Sequence, residues 1–113
     1  MSLMPPQGSE LLHGTLELLV LRLLEGEPLN GYAIGRRIED LTDDALKVDE
    51  GSLYPALYRM ERRGWLQSSW GTTENNRRAK FYRITRRGRE RLHSQRAEWA
   101  GFQTAVQKIL ESP

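Results

Sequence analysis

A mainly α fold of the α+β kind, with a three-helix core, a two-stranded hairpin and a long C-terminal helix, is predicted by three observations. Residues 50–66, EGSLYPALYRMERRGWL, place Leu53, Leu57 and Met60 at i, i+4 and i+7, the apolar stripe of a helix. After Gly64 the period changes to two, in residues 65–70 and again in residues 81–84. Beyond Thr85, Leu92, Trp99 and Val106 recur every seven residues, with Phe102 and Ile109 at the alternate positions.

Residues 1–12 contain Pro5, Pro6, Gly8 and Ser9 and read as a flexible arm. Met1-Ser2-Leu3, ahead of a second methionine at Met4, reads as a leader and is set aside from the fold. The first helix is predicted over residues 15–25, with Thr15 at its start, Glu17 in its positive first turn, and Gly26 and Pro28 after its end. Leu16, Leu19, Val20, Leu23 and Leu24 form its buried face. Asn30 caps a second helix running to about Leu41, with Ile34, Ile38 and Leu41 as its stripe, and Thr42-Asp43-Asp44 ends it. A short connection over residues 45–49 leads to the third helix, where Pro55 falls close to the beginning and its missing N–H costs least. Two short helices, a short connection and a second helix with a polar outer face make a helix-turn-helix pattern.

The alternating runs flank residues 71–79, a polar segment with Asn75-Asn76, and together they make a hairpin with a flexible basic tip, a wing. Thr85 caps the last helix, predicted through about Ser112, on the order of 40 Å at 1.5 Å per residue. A 3.5-residue repeat over that length indicates packing between chains. The organisation predicted is an arm over 1–12, a winged helix-turn-helix domain over 13–84 and a dimerisation helix over 85–113.

A chain of 113 residues has room for one core, and a hydrophobic content of 38% makes self-association plausible. The absence of cysteine excludes disulfides, thiolate zinc sites and a cysteine nucleophile. His13 and His93 lie too far apart in sequence for ligand-like spacing, so neither a metal nor another cofactor is expected. The leading apolar run, LELLVLRLL, is short and carries Glu17 and Arg22, which fits neither a membrane span nor a signal sequence; a cytoplasmic protein is expected. No nucleophile paired with a base and no glycine-rich phosphate loop is present, so an enzyme is not expected.

Net charge is +2, but its distribution matters more. Residues 1–58 carry four basic and ten acidic side chains, whereas residues 59–91 carry eleven basic and three acidic. Such a separation attracts a polyanion to one surface and discourages indiscriminate binding elsewhere. Fourteen of the 17 basic residues are arginine, which favours bidentate phosphate and guanine contacts, although a GC-rich genome produces the same bias.

The candidate DNA contacts on the third helix are Ser52, Tyr54 and Arg59. Ser52 is expected at the helix start, where its hydroxyl and nearby N–H groups meet a phosphate. Tyr54 and Arg59 point roughly 140° apart, so one of them touches the DNA backbone. Tyr54 and Tyr58 have a structural alternative, filling the seam with the wing. Arg62 and Arg63 read as charges favouring the negative end of the helix dipole. Arg77, Arg78 and Lys80 form the wing cluster and are assigned to phosphate or minor groove. Arg83, Arg86 and Arg87 are weaker candidates, because such arginines often pair locally with acids. Tyr32 either donates to a phosphate or is buried. The dimer interface is assigned to Leu92, Trp99, Phe102, Val106 and Ile109, with Leu16 and Leu19.

The sequence resembles the PadR-like transcriptional regulators. The residues that carry the resemblance are GTLELLVLRLL at 14–24, GYAIGRRIE at 31–39, EGSLYPALYRMERRGWL at 50–66 and RRAKFYRITRRGRERL at 77–92. The resemblance implies a winged helix with an added C-terminal helix that builds a homodimer, of the family's compact branch. It also implies repression by binding a near-palindromic operator in double-stranded DNA, often relieved by a small molecule. The wing, ENNRRAK, departs from the many members with Gly or Pro before the basic residues. In a two-fold dimer, Trp99 and Phe102 form either an aromatic slot for a small flat apolar effector or simply interface core. Gly101 beside them permits close backbone approach or leaves room for a ligand. The reading is a homodimeric repressor without a membrane anchor, whose third helices enter successive major grooves roughly 34 Å apart. The alternative is a winged helix used for protein–protein interaction without DNA.

Overall fold

Leucine spacing makes the first helix the axis of the core. The computed structural model describes residues 9–113, with side chains from Thr15 onward; the leader, the arm over residues 1–8 and the side chain of His13 lie outside the described residues. The order is α1 (Ser9–Leu24), β1 (Leu29–Asn30), α2 (Gly31–Leu41), α3 (Glu50–Arg62), β2 (Leu66–Thr72), β3 (Arg78–Ile84) and α4 (Arg86–Leu110). Leu16, Val20, Leu21 and Leu24 of α1 are buried, and α1 packs against α2, α3, β3 and α4. Ile34 and Ile38, Leu53, Leu57 and Met60, and Leu66, Tyr82, Ile84 and Leu92 close the same core from the other elements.

The first helix begins at Ser9, so residues 9–12 are helical and do not belong to the arm. Glu10, Leu11 and Leu12 are good helix formers, and Gly14 after them does not break the run. Leu21, outside the predicted face, is fully buried, while Leu19 and Leu23 are only partly so, because α1 is contacted from several sides. Asn30 caps α2 as predicted, its side chain accepting from the Ala33 N–H at 2.8 Å. Leu41 does not join the stripe; it is 68% exposed. The chain leaves the helix there, at Thr42, and Leu46 and Val48 of the following loop pack on the core instead. That loop holds Asp43 and Asp44 both at positive φ, 50° and 64°, a conformation Asp tolerates better than most residues.

The hairpin is more regular than a flexible tip over residues 71–79 would be. β2 and β3 pair antiparallel from Leu66↔Ile84 to Thr72↔Arg78, so only residues 73–77 form the loop. That loop is tied: the Thr73 N–H donates to the Arg77 carbonyl at 2.8 Å, and the Thr73 hydroxyl accepts from the Arg77 N–H at 3.1 Å. Asn76 supplies the left-handed residue, φ 60°. A third strand, β1, lies beside β3 to give the order β1-β3-β2. Two residues are too few to show an alternation, so β1 leaves no periodic signal in the sequence. Thr85 caps α4, its hydroxyl accepting from the Gly88 N–H at 3.0 Å.

Candidate nucleic-acid interface

The third helix is held at both ends by its own sequence. Asp49 is its cap: the carboxylate accepts from the Ser52 N–H at 2.8 Å and from the Ser52 hydroxyl at 3.2 Å. An anion therefore already sits where Ser52 is expected to receive a phosphate, and Glu50 adds a second acid to the same turn. The Ser52 N–H and hydroxyl are thus both engaged by Asp49, which competes with a phosphate for the same groups. At the other end Gly64, φ 79°, lets the Trp65 N–H reach the Met60 carbonyl and its own N–H reach that of Glu61, both at 3.0 Å. Pro55 is the sixth residue of α3, inside the helix and not at its beginning. The residue four before it is Gly51, so the proline ring meets the least crowded carbonyl available.

Leu53, Ala56, Leu57 and Met60 face the core. At roughly 100° per residue, the direction opposite to them holds Pro55, Tyr58 and Arg62, with Tyr54 and Arg59 at the margins. Tyr58 is 60% exposed, and its hydroxyl accepts from Arg62 at 3.3 Å. Tyr58 therefore does not fill the seam with the wing. It stands with Arg62 at the centre of the outer face; the stripe of Leu53, Leu57 and Met60 by itself already turns Arg62 there, and counting buried Ala56 brings Tyr58 in beside it. Tyr54 is 44% exposed, its ring lying against Gly31 at the start of α2. Arg59 projects outward with no acidic partner among the described residues.

The wing joins α3 through Glu61. Its carboxylate accepts from the Ser68 hydroxyl at 2.6 Å and pairs with Lys80 at 3.5 Å. Lys80, assigned to DNA, is thus partly neutralised within the chain and also lies over the Tyr82 ring at 5.8 Å. Tyr82 is buried beneath this pair; desolvation raises its pKa above the ordinary 10.0, Lys80 opposes that rise, and Glu61 and Tyr54 reinforce it. Arg77 stands in the loop and Arg78 at the first position of β3, both exposed and without an acidic partner among the described residues.

The other arginines divide as physical chemistry suggests. Arg63 pairs with Glu17 at 3.5 Å and lies over the Trp65 ring, so it belongs to the α1–α3 joint. Arg83 donates to Gln67 at 2.9 Å, Arg86 reaches Glu90 at 3.8 Å, and Arg87 covers Gly64. Tyr32 is 71% exposed, which removes the burial alternative for it. Leu16 and Leu92, assigned to a dimer interface, are each 2% exposed inside the core of the single chain and have no surface left for a partner. Leu19 is partly buried against the same core. Phe102, Val106 and Ile109 are exposed along α4, and the rings of Trp99 and Phe102 stand 5.9 Å apart at 37°. A Cβ at Gly101 would meet nothing within 4 Å. An open groove of about 490 Å³ lies away from these rings, between Glu61, Gly64, Gln67 and Arg83 at the base of the wing. Among the described residues no helix is long and apolar enough to cross a membrane.

Comparison with known proteins bears on the whole arrangement. The profile of the PadR-like family of transcriptional regulators matches residues 20–94. A transcriptional regulator from Clostridium thermocellum is similar in structure with a TM-score of 0.83 and 28% identity, over 90% of this chain and 99% of that one. A PadR-like transcriptional regulator from Bacillus cereus gives 0.78 and 27%, over 92% and 99%. A PadR family transcriptional regulator from Eggerthella lenta gives 0.77 and 35%, over 93% and 89%.

Proposed function

The chain belongs to the PadR-like family of transcriptional regulators, non-enzymatic proteins that bind DNA, and on that premise we propose that it is a homodimeric repressor that grips an inverted-repeat operator with α3 and the wing. One observation carries the assignment of residues: Arg59, Arg62, Arg77 and Arg78, on the outer face of α3 and on the adjoining hairpin, pair with no acid among the described residues. Arg62 and Tyr58 occupy the centre of the reading face, with Tyr54 and Arg59 at its edges and Ser52 held back by Asp49. Arg77 and Arg78 take phosphates or the minor-groove edge, with Lys80 as a weaker contributor because Glu61 competes for it. Tyr32, exposed in the first turn of α2, reaches the flanking backbone.

Dimerisation is supported by α4. Every residue from Gly101 onward is exposed, yet Phe102, Val106, Ile109 and Leu110 are apolar. A protruding helix with such a stripe gains by packing on its two-fold mate. Trp99 and Phe102 then meet their counterparts near the axis, where a flat apolar effector would alter the spacing of the two reading heads. A cytoplasmic site of action goes with this reading. A protein-interaction module without DNA does not go with the family.

The decisive experiment titrates the protein with sheared genomic DNA over a range of salt. Replacing Arg77 and Arg78 together by Ala should weaken binding to all sequences and flatten the log–log salt slope by about 0.9 for each phosphate no longer neutralised. A slope equal to that of the wild type would overturn the assignment of the wing.

A further inference from the structure

Trp70 stands apart from the helix face and the paired arginines. It follows Leu66 and Ser68 at period two, so it lies on the sheet face that packs against α3, opposite Lys80 on β3. Along that face the cover runs out. Leu66 and Ile84 are buried, Ser68 is half-buried through Glu61, and Trp70 is 61% exposed. The Arg78 guanidinium carbon stands 4.8 Å from the centre of the indole. A cation held over an aromatic face loses part of the freedom of a surface arginine. The hairpin thus presents a flat apolar surface and an oriented charge side by side.

We propose that Trp70 and Arg78 form one composite contact for the sugar–phosphate backbone of duplex DNA, the indole against deoxyribose and the guanidinium on the adjoining phosphate. This rests on the DNA-binding reading above and adds to it an apolar, salt-independent component of the wing's grip. The occupant follows from charge. Arg78 lies over the indole, Lys80 is its cross-strand partner and Arg77 adds a third cation in the adjoining loop, where Glu74 is the one acid; Glu61 is already engaged by Ser68 and Lys80. An apolar protein surface laid on the indole would strip water from these cations without answering them. A polyanion with apolar sugar edges answers both.

The two halves separate in their dependence on salt, because only released counterions contribute to the slope. Trp70→Ala should bind a short random-sequence duplex roughly tenfold more weakly, equivalent to about 1.4 kcal/mol, with the salt slope of the wild type. Arg78→Ala should flatten the slope by about 0.9. Trp70→Phe should retain most of the affinity, and Trp70→Gln replaces Trp70→Ala if circular dichroism shows that variant misfolded. In the wild type, the share of acrylamide quenching that disappears in Trp70→Phe should fall when the duplex is added. Wild-type affinity in Trp70→Ala would overturn the proposal, as would a flattening of the slope in that variant equal to that of Arg78→Ala, since the indole would then only prop the arginine. Failure of the wild type to bind any duplex would instead overturn the DNA-binding reading itself, and this composite site with it.

Discussion

The ring of Tyr54 lies directly over Gly31, so close that a Cβ at position 31 would stand 2.6 Å from Cε1 and 3.0 Å from the hydroxyl oxygen. Gly31 opens α2 immediately after its cap, and Tyr54 belongs to the outer margin of α3. The missing side chain of one helix is therefore what seats, on the other, a side chain assigned to the proposed DNA face.

Gly31→Ala should displace the Tyr54 ring and weaken operator binding several-fold. Stability should change by less than about 1 kcal/mol, because alanine favours the helix and the ring is half-exposed and free to shift. Combined with Tyr54→Ala, the substitution should have little further effect. Operator titrations of the two single variants and the double variant measure that coupling.

Asp49 stabilises α3 and repels phosphate with the same carboxylate. Asp49→Ser keeps a capping oxygen and removes the charge, so stability should hold within about 0.5 kcal/mol while affinity for DNA rises at low salt. Asp49→Ala should cost about 1 kcal/mol through loss of the cap. Urea denaturation and DNA titration of both variants distinguish the two roles.

Gly88 is buried where α4 begins, and a Cβ there would overlap the Trp65 carbonyl oxygen and stand 2.7 Å from Ile84 Cγ1. The backbone oxygen cannot rotate away, and Trp65 is already anchored through the Thr85 N–H at 3.0 Å. Gly88→Ala should destabilise the domain by about 2–3 kcal/mol. Thermal or urea unfolding reads this directly.

Burial keeps the Tyr82 phenol neutral, with its pKa raised above 10.0. The unfolded chain ionises first as pH rises, so it binds fewer protons than the folded chain in that range. Stability associated with Tyr82 is therefore full below about pH 10 and declines as pH climbs past that value. Tyr82→Phe should show a shallower alkaline decline in urea midpoint than the wild type.

Val106→Asp should place a charge in the apolar stripe of α4 and favour the monomer. Since residue 106 is no part of the core, the folded domain should keep its helical content. Sedimentation should show the loss of the proposed dimer, and operator affinity should fall with it because its two reading heads would no longer be linked.

The elements of this protein are written in local patterns. Asn30 and Thr85 cap helices where the sequence places them, Gly64 ends α3, and the change of period after it marks the hairpin, because capping, left-handed glycine and side-chain alternation act over a few residues. The family too is legible, from runs that span most of the chain. The division of labour within the site is not. Tyr58 faces outward, Lys80 turns to Glu61, and Asp49 occupies the start of α3, while Leu16 and Leu92 meet inside one chain's core. Each of these outcomes depends on which neighbour reaches a side chain first, whether a carboxylate, an indole or another helix. Sequence periodicity says which residues share a face; only the packed structure decides what that face meets.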